Sequence, residues 1–256
     1  MGCGGAAPPR GRPPPSAPFF AFDTHPAGPL VQPWRPMVEL LDQPAVLGER
    51  VTSVRGYLAA AGGQSPDAVE ERVAASVTHL GLVARFVSPA FGVAVLDGAL
   101  LAYGLRETGW QPALGGLFPL SLPCREPEHV TGPAELAVRL AAEVLDGPVR
   151  ELVQAVAAFS VSPRILWGNV ASAVNGAAAA IARSTPELAG QAREFAARLL
   201  EQPPLHGAGT LAPDGTGFRR RSCCLIYRAA PDHAGALCGD CVLTVPPGTR
   251  PSTTSS

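Results

Sequence analysis

The sequence predicts a mainly α-helical protein with a bundle-like helical domain, a small β-hairpin element and a C-terminal cysteine-rich hairpin. Three observations lead to this fold class. Apolar residues recur in steps of three and four through the middle of the chain, as they do on one face of a helix. Residues 165–182 form an uncharged, alanine-rich stretch that suits the interior of a bundle. Short apolar runs bounded by glycine and proline, over 100–123 and 205–245, favour hairpins instead.

Helix starts are marked by a hydroxyl residue followed by proline. The hydroxyl can accept a hydrogen bond from a free N–H of the first turn, and proline is tolerated at the first helical position. These pairs are Ser65-Pro66, Ser88-Pro89, Ser162-Pro163 and Thr185-Pro186. We expect each pair to open a helix, so that Ser88-Pro89 also ends the helix before it. Further helices are predicted over 46–61, 134–145 and 148–160.

Composition divides the chain into four parts. Residues 1–33 are rich in proline and glycine and are predicted to be a disordered arm. Residues 34–204 form the helical domain, and 205–245 form the cysteine-rich segment, with strands expected over 218–227 and 241–245. Residues 246–256 are predicted to be a disordered tail.

Residues 165–182 raise the question of a membrane span because they carry no charge. The stretch contains Asn169, Ser172 and Asn175, and its apolar content is mostly alanine, which inserts poorly into a bilayer. We therefore expect a helix inside a bundle and no transmembrane segment. The first thirty residues have no apolar core of a signal peptide, so we expect the protein to be cytoplasmic.

Charge excludes several function classes. Twenty basic residues, all arginine, stand against twenty-one acidic residues, which leaves a net charge of −1. This balance argues against nucleic acid as a partner. The absence of lysine excludes catalysis through a Schiff base or a P-loop lysine.

The cysteines provide the main functional signal. Cys223, Cys224, Cys238 and Cys241 lie within nineteen residues in the pattern C-C-x13-C-x2-C. Four thiolates at such spacings can hold a structural zinc ion or an iron–sulfur cluster. Neighbouring side chains of an extended strand point to opposite faces, so the adjacent pair can converge only where the backbone turns. Inert buried thiols, a vicinal disulfide and a CxxC redox couple are the alternatives.

The stretch RRRSCCLIYR…LCGDCVL resembles the C-terminal signature of the FhuF-type ferric siderophore reductases, C-C-x10-C-x2-C. Trp167-Gly168-Asn169 also resembles the helix that precedes this signature. The resemblance implies a [2Fe–2S] cluster with the four clustered cysteines as ligands, in a cluster-binding hairpin. Here the spacer has thirteen residues instead of ten, and a turn segment tolerates such lengthening.

Three further side chains are given no place in this ligand set. Cys3 and Cys124 lie away from the motif and are expected to take no part. His233 lies inside the spacer and is expected to be an exposed loop residue.

The implied activity is one-electron reduction of an Fe(III)-siderophore, which releases Fe(II) for iron acquisition. No catalytic residue separate from the cluster is required. The implied partners are a ferric siderophore and an electron donor, neither identified by the sequence. The alternative is a non-enzymatic helical binding protein whose four cysteines hold structural zinc.

Arginines surround the first cysteine pair. Between Asp214 and Asp232 the chain carries Arg219, Arg220, Arg221 and Arg228 and no acidic residue. Such charges could stabilise an added electron or attract an anionic siderophore or an acidic donor. Alternatively, Arg219–Arg221 form only a solvated strand face.

Overall fold

The computed structural model describes residues 18–115, 117–212 and 217–243. Their α-helices are, in chain order, α1 (Glu39–Asp42), α2 (Pro44–Ala61), α3 (Glu71–Asp97), α4 (Pro133–Leu140), α5 (Arg150–Ala157), α6 (Pro163–Ser184) and α7 (Ala189–Leu200). A π-helical segment, Ala141–Val149, joins α4 to α5. Short 3-10 helices lie at Pro18–Phe20, Pro66–Ala68, Pro186–Leu188, Ile226–Ala229 and Pro231–His233.

The strands are short and lie beside the helices. They are β1 (Asp23–His25), β2 (Arg35–Pro36), β3 (Ala99–Leu100), β4 (Gly109–Trp110), β5 (Leu120–Pro123), β6 (Glu128–His129), β7 (Gly209–Leu211) and β8 (Phe218–Arg220). The main sheet has the order β1-β5-β4-β2, in which β1 runs parallel to β5 and the other pairs are antiparallel. β3 pairs with β6, and β7 pairs with β8. The predicted mainly α-helical class, with small strands and a cysteine-rich C-terminal segment, is confirmed.

The centre of the fold is the contact between α3 and α6. α2 packs against α3, and α7 packs against α6. On α6, Ala171, Val174 and Ala178 are buried, and these small side chains allow the two helix axes to approach closely. Leu82 and Phe86 of α3 fill the space that remains. The prediction that the uncharged stretch lies inside a bundle describes this helix well.

The prediction that Ser88-Pro89 separates two helices is wrong. α3 runs without interruption from Glu71 to Asp97 and contains Pro89 in its interior. The Ser88 hydroxyl donates to the carbonyl of Ala84, 2.6 Å away, one turn back. Ser88 and Pro89 are both buried. The packing of this long helix on both sides therefore outweighs the hydrogen bond that proline removes.

The other hydroxyl–proline pairs all lie where a helical segment begins, but they act differently. The Ser162 hydroxyl accepts a hydrogen bond from the N–H of Arg164 (3.3 Å), as a helix cap should. Ser65 and Thr185 precede 3-10 turns and make no such side-chain bond. α3 therefore starts only at Glu71.

The prediction that residues 1–33 form a disordered arm is wrong for the second half of this range. Phe20 is 5% exposed and belongs to the hydrophobic core. The buried Arg85 donates to the carbonyls of Phe19 (2.9 Å) and Ala21 (2.5 Å), and β1 pairs with β5. Aromatic side chains outweigh the proline and glycine content here because they bury large apolar areas. Residues 1–17 and the predicted tail, 246–256, lie outside the described residues.

The remaining boundaries differ in detail. The prediction for 46–61 matches α2 closely. The expected helices over 134–145 and 148–160 are continuous through the π-helical segment, with a kink at Gly147, whose backbone is not helical. The strand predicted over 218–227 ends at Arg220. Cys241–Leu243 forms no strand, and 244–245 lie outside the described residues.

Two helices, α3 and α6, are long and apolar enough to cross a membrane by length and composition. Core helices of soluble proteins pass the same test. Of the most apolar stretch of each helix, 72% in α3 and 56% in α6 is buried against the rest of the fold. The absence of a transmembrane segment therefore stays a prediction.

A buried polar network lies within the contact of α3 and α6. The amide nitrogen of Asn169 donates to the carbonyl of Ser76 (2.9 Å) and lies 3.3 Å from its hydroxyl. The same nitrogen is 3.4 Å from Nδ1 of His79. Burial, assisted by the positive charge of Arg220, lowers the pKa of His79 to about 3. His79 is therefore neutral in the folded protein.

Because His79 is buried in its neutral form, the folded protein should lose stability in mild acid. Its pKa is lower in the folded protein than the ordinary 6.5, so protonation favours the unfolded chain. Its contribution is fully present above about pH 6.5 and falls by about 1.4 kcal/mol per pH unit as the pH drops towards 3. When the free energy of unfolding is measured with urea between pH 6.5 and 5, its pH dependence should be less steep in His79→Gln than in the wild-type protein, by about that slope. The exposed His206→Gln should not have this effect, and equal slopes in all three proteins would contradict the assignment.

Gly168 sets how closely α6 approaches the segment that follows β8. A Cβ atom at this position would lie 2.3 Å from Oγ of Ser222 and 3.0 Å from Nη2 of Arg220. The Ser222 hydroxyl donates to the carbonyl of Arg164 (3.0 Å), which ties the same segment to the first turn of α6. Glycine is therefore needed here for space.

Gly168→Ala should lower the free energy of unfolding by about 1–3 kcal/mol because the new methyl group overpacks this contact. Gly176→Ala is the matched control on the same helix, since nothing lies within 4 Å of its added Cβ. That variant should be neutral or slightly more stable because alanine favours a helix over glycine. Chemical denaturation measures both, and equal effects would mean that the contact is not close.

Candidate functional site

The cysteine-rich segment reaches the helices through β8. Side chains alternate along this strand, so Phe218 and Arg220 are buried whereas Arg219 is exposed. The N–H of Arg220 donates to the carbonyl of Asp240 (2.9 Å), which joins the strand to the second cysteine pair. The two halves of the motif are thus brought side by side across the thirteen-residue spacer.

The adjacent cysteines lie at a turn, as their convergence requires. The strand has already ended when the chain reaches Cys223, and Leu225 has a φ of 70°, in the left-handed region. The 3-10 helix Ile226–Ala229 then carries the chain away. The Ser76 hydroxyl of α3 donates to the carbonyl of Cys224 (2.8 Å) and fixes this turn against the core.

The structure brings the four predicted thiols together. The Sγ atoms of Cys224 and Cys238 are 3.5 Å apart, and Cys223 hydrogen-bonds to Cys224. Cys241 lies close enough to act electrostatically on both Cys223 and Cys238. Cys224 and Cys241 are buried, Cys223 and Cys238 are partly exposed, and none of the four forms a disulfide. The site is therefore one group of thiols with an open side.

Backbone N–H groups point at two of the sulfurs. Leu225 donates to Sγ of Cys223 (3.3 Å) and Leu243 to Sγ of Cys241 (3.4 Å). The N–H of Cys241 donates to the carbonyl of Cys238 (3.1 Å), which closes the turn of the second pair. Gly239 has neither a positive φ nor a close neighbour, so the turn does not need glycine there.

The thiols do not titrate alike. Hydrogen bonds from Cys223 and Cys238, together with the positive charge of Arg220, lower the pKa of Cys224. The pKa values of Cys223 and Cys238 are raised because each donates to Cys224 and is partly buried. Among these three thiols, Cys224 therefore has the greatest tendency to ionise.

The arginines of the motif separate into buried and exposed side chains. Arg220 is 1% exposed and its Nη2 donates to Oδ1 of Asn169 (2.6 Å) and to the carbonyl of Ile165 (3.1 Å). Arg219 and Arg221 are exposed. The interpretation of Arg219–Arg221 as one solvated face is therefore wrong for Arg220.

The thirteen-residue spacer is attached to the ends of two core helices. Nε2 of Gln64 donates to the carbonyl of Ala229 (2.5 Å), and Nε of Arg228 donates to Glu70 (2.7 Å). Ala229 also packs with Ala59, Val69 and Val73 in a small apolar cluster. The longer spacer is thus a docked loop.

His233 is exposed, as predicted, and its Nε2 lies 3.8 Å from the carboxylate of Glu70. Cys124 follows β5, where its N–H donates to the carbonyl of His25 (2.8 Å), and it belongs to the sheet and not to the thiol group. Cys3 lies outside the described residues.

Sequence reasoning missed one polar residue of the site. Asp240, inside the second cysteine pair, accepts hydrogen bonds from Ser172 and Asn175 of α6. Burial raises the pKa of its carboxyl group. The only sequence signal is that Asn169, Ser172 and Asn175 recur every three residues on α6. They form a polar stripe on an otherwise apolar helix.

The residues present fit a [2Fe–2S] cluster. Such a cluster takes four thiolates, two for each iron, and hydrogen bonds to sulfur are among the contacts that tune its potential. Among residues 18–115, 117–212 and 217–243, no three His, Cys, Asp or Glu side chains are placed to ligate one metal ion. A two-iron cluster does not require such convergence, because its ligands are divided between two centres.

Comparison with known families agrees with this fit. Residues 57–213, more than half of the chain, match the family described as ferric iron reductase FhuF-like transporter. Residues 220–243, which contain all four clustered cysteines, match the FhuF 2Fe-2S C-terminal domain. The chain matches no curated protein. The cofactor is therefore a [2Fe–2S] cluster, and the chain belongs to the FhuF-like ferric iron reductase family.

Proposed function

We propose that this protein is a cytoplasmic ferric-siderophore reductase whose [2Fe–2S] cluster is held by Cys223, Cys224, Cys238 and Cys241. The observation that carries the proposal is the meeting of these four thiols, from the two halves of the motif, at one site. The family description also contains the word transporter. We favour the reductase activity because the site brings thiols and a buried cation together.

The bound cluster supplies one-electron transfer. The chain's own residues determine how it is held and what it faces. Cys224 and Cys241 lie on the buried side, and Cys223 and Cys238 on the partly exposed side. Leu225 and Leu243 direct N–H groups at sulfur, where they stabilise negative charge. The partly exposed pair marks the side at which donor and substrate approach.

The substrate chemistry needs no proton-transferring side chain. Fe(III) is a hard cation held by the hydroxamate or catecholate oxygens of a siderophore. Transfer of one electron converts it to Fe(II), for which these oxygens have a weaker hold, so that the metal can be released. Each electron comes from a donor protein or small reductant, which has to reduce the oxidised site again before the next turnover.

The ligand set is tested by Cys238→Ser against Cys124→Ser. The wild-type protein, purified without oxygen, should be reddish-brown, bleach with dithionite and contain equal amounts of iron and sulfide. Cys238→Ser should lose or destabilise the cluster because it removes a sulfur that contacts Cys224. Cys124→Ser should keep the visible spectrum. An unchanged Cys238→Ser spectrum would refute the ligand assignment, and colourless wild-type protein with one zinc ion would favour the structural-zinc alternative.

The activity is tested in a single turnover. Protein reduced with dithionite, freed of excess reductant and mixed with a ferric hydroxamate or catecholate should regain its oxidised spectrum. One Fe(II) should appear per cluster, measured with a ferrous chelator. Cys238→Ser protein is the control for iron released without a cluster. A reduced spectrum that persists beside every ferric siderophore tried would reject the reductase proposal.

A further inference from the structure

The guanidinium of Arg220 is a buried charge without a carboxylate partner among the described residues. Its side chain is 1% exposed, and its hydrogen bonds, both from Nη2, go to neutral oxygens of Asn169 and Ile165. Nε and Nη1 are also buried and have no hydrogen-bond partner. None of the ion pairs between described side chains includes this residue.

Such a charge is unfavourable unless negative charge lies nearby. Isolating an ion from water costs several kcal/mol even after the protein relaxes. The charge of Arg220 acts electrostatically on three groups of the motif, the carboxyl group of Asp240 and the thiols of Cys224 and Cys238. Asp240 forms no ion pair with the guanidinium, and its side-chain hydrogen bonds go to α6.

A continuous set of hydrogen bonds fixes Arg220 relative to the thiols. Nη2 of Arg220 donates to Asn169, whose amide nitrogen lies 3.3 Å from the Ser76 hydroxyl. That hydroxyl donates to the carbonyl of Cys224. On the other side, the N–H of Arg220 donates to the carbonyl of Asp240, between the second pair of cysteines. These bonds link the guanidinium, through two side chains, to the backbone of Cys224, and they link the backbone of Arg220 to the turn of the second cysteine pair.

We propose that Arg220 is the positioning residue that sets the reduction potential of the [2Fe–2S] cluster, as a fixed positive charge under its thiolates. The inference rests on the proposed function only through the four-cysteine ligand set. An oxidised cluster with four thiolates carries a formal charge of −2 and becomes −3 on reduction. A fixed cation stabilises the second state more and therefore raises the potential.

The alternation of β8 provides matched controls. Arg219 precedes Arg220 on the same strand and carries the same charge, but it is exposed, so solvent and salt screen it. The comparison of Arg220→Gln with Arg219→Gln therefore separates a buried charge from charge near the motif in general. Arg220→Lys keeps the charge and changes the shape.

The experiment is a redox titration of each purified holoprotein, followed by its visible spectrum. At a fixed potential near the wild-type midpoint, Arg220→Gln should lower the ratio of reduced to oxidised cluster on the order of tenfold, about 59 mV for one electron. Arg219→Gln should change it much less, and Arg220→Lys should restore most of the wild-type value. A cluster-bearing Arg220→Gln protein with the wild-type potential would overturn the proposal.

If the Arg220→Gln protein assembles no cluster, Asn169→Asp provides a second test of the same proposal. This nearly isosteric change keeps the oxygen that accepts from Arg220 and pairs the guanidinium with a carboxylate, although it removes the hydrogen bond to the carbonyl of Ser76. The potential should therefore again fall. A wild-type potential in Asn169→Asp would overturn the proposal as well. Wild-type protein that binds the cluster but reduces no ferric siderophore would reject the proposed activity and leave the effect of Arg220 on the potential intact.

Discussion

The close contact between α6 and the segment that follows β8 is the constraint on which the thiol group depends. Gly168 leaves the space that Ser222 and Arg220 occupy, and Asn169, the next residue, binds the guanidinium that enters. A side chain at 168 would displace the segment that follows β8 and carries the first cysteine pair. The second pair would then lose the bond between the N–H of Arg220 and the carbonyl of Asp240.

The helices thus have two roles, one structural and one electrostatic. The contact of α3 with α6 buries most of the central apolar surface, yet it also contains Ser76, His79 and Asn169. Buried polar groups are costly unless they are paired, so such a network in the core of a bundle needs a reason. Here it joins the core to the cysteine turn at Cys224 and holds the one buried arginine that the motif supplies.

The mainly helical class and the four thiols could be predicted because periodicity and spacing are local signals. The continuity of α3 across Ser88-Pro89 could not be predicted, since only tertiary packing shows that this helix tolerates an internal proline. The burial of Phe20 in the core could not be predicted either, because the proline- and glycine-rich sequence around it is typical of disorder. The separation of Arg220 from Arg219 follows from strand alternation. Which of the two faces inward, however, depends on α6, about fifty residues earlier in the chain.

The anchoring of the spacer on core helices has a consequence for how the holoprotein is assembled. Gln64, Glu70 and the apolar cluster around Ala229 hold the loop through contacts that involve none of the four thiols. The chain therefore loses the freedom of this loop when it folds, not when iron and sulfide arrive. Preorganisation of this kind favours tight binding because little ordering accompanies it. We therefore expect a protein that has lost its cluster to oxidation to keep the spacer docked and to be reloaded without unfolding.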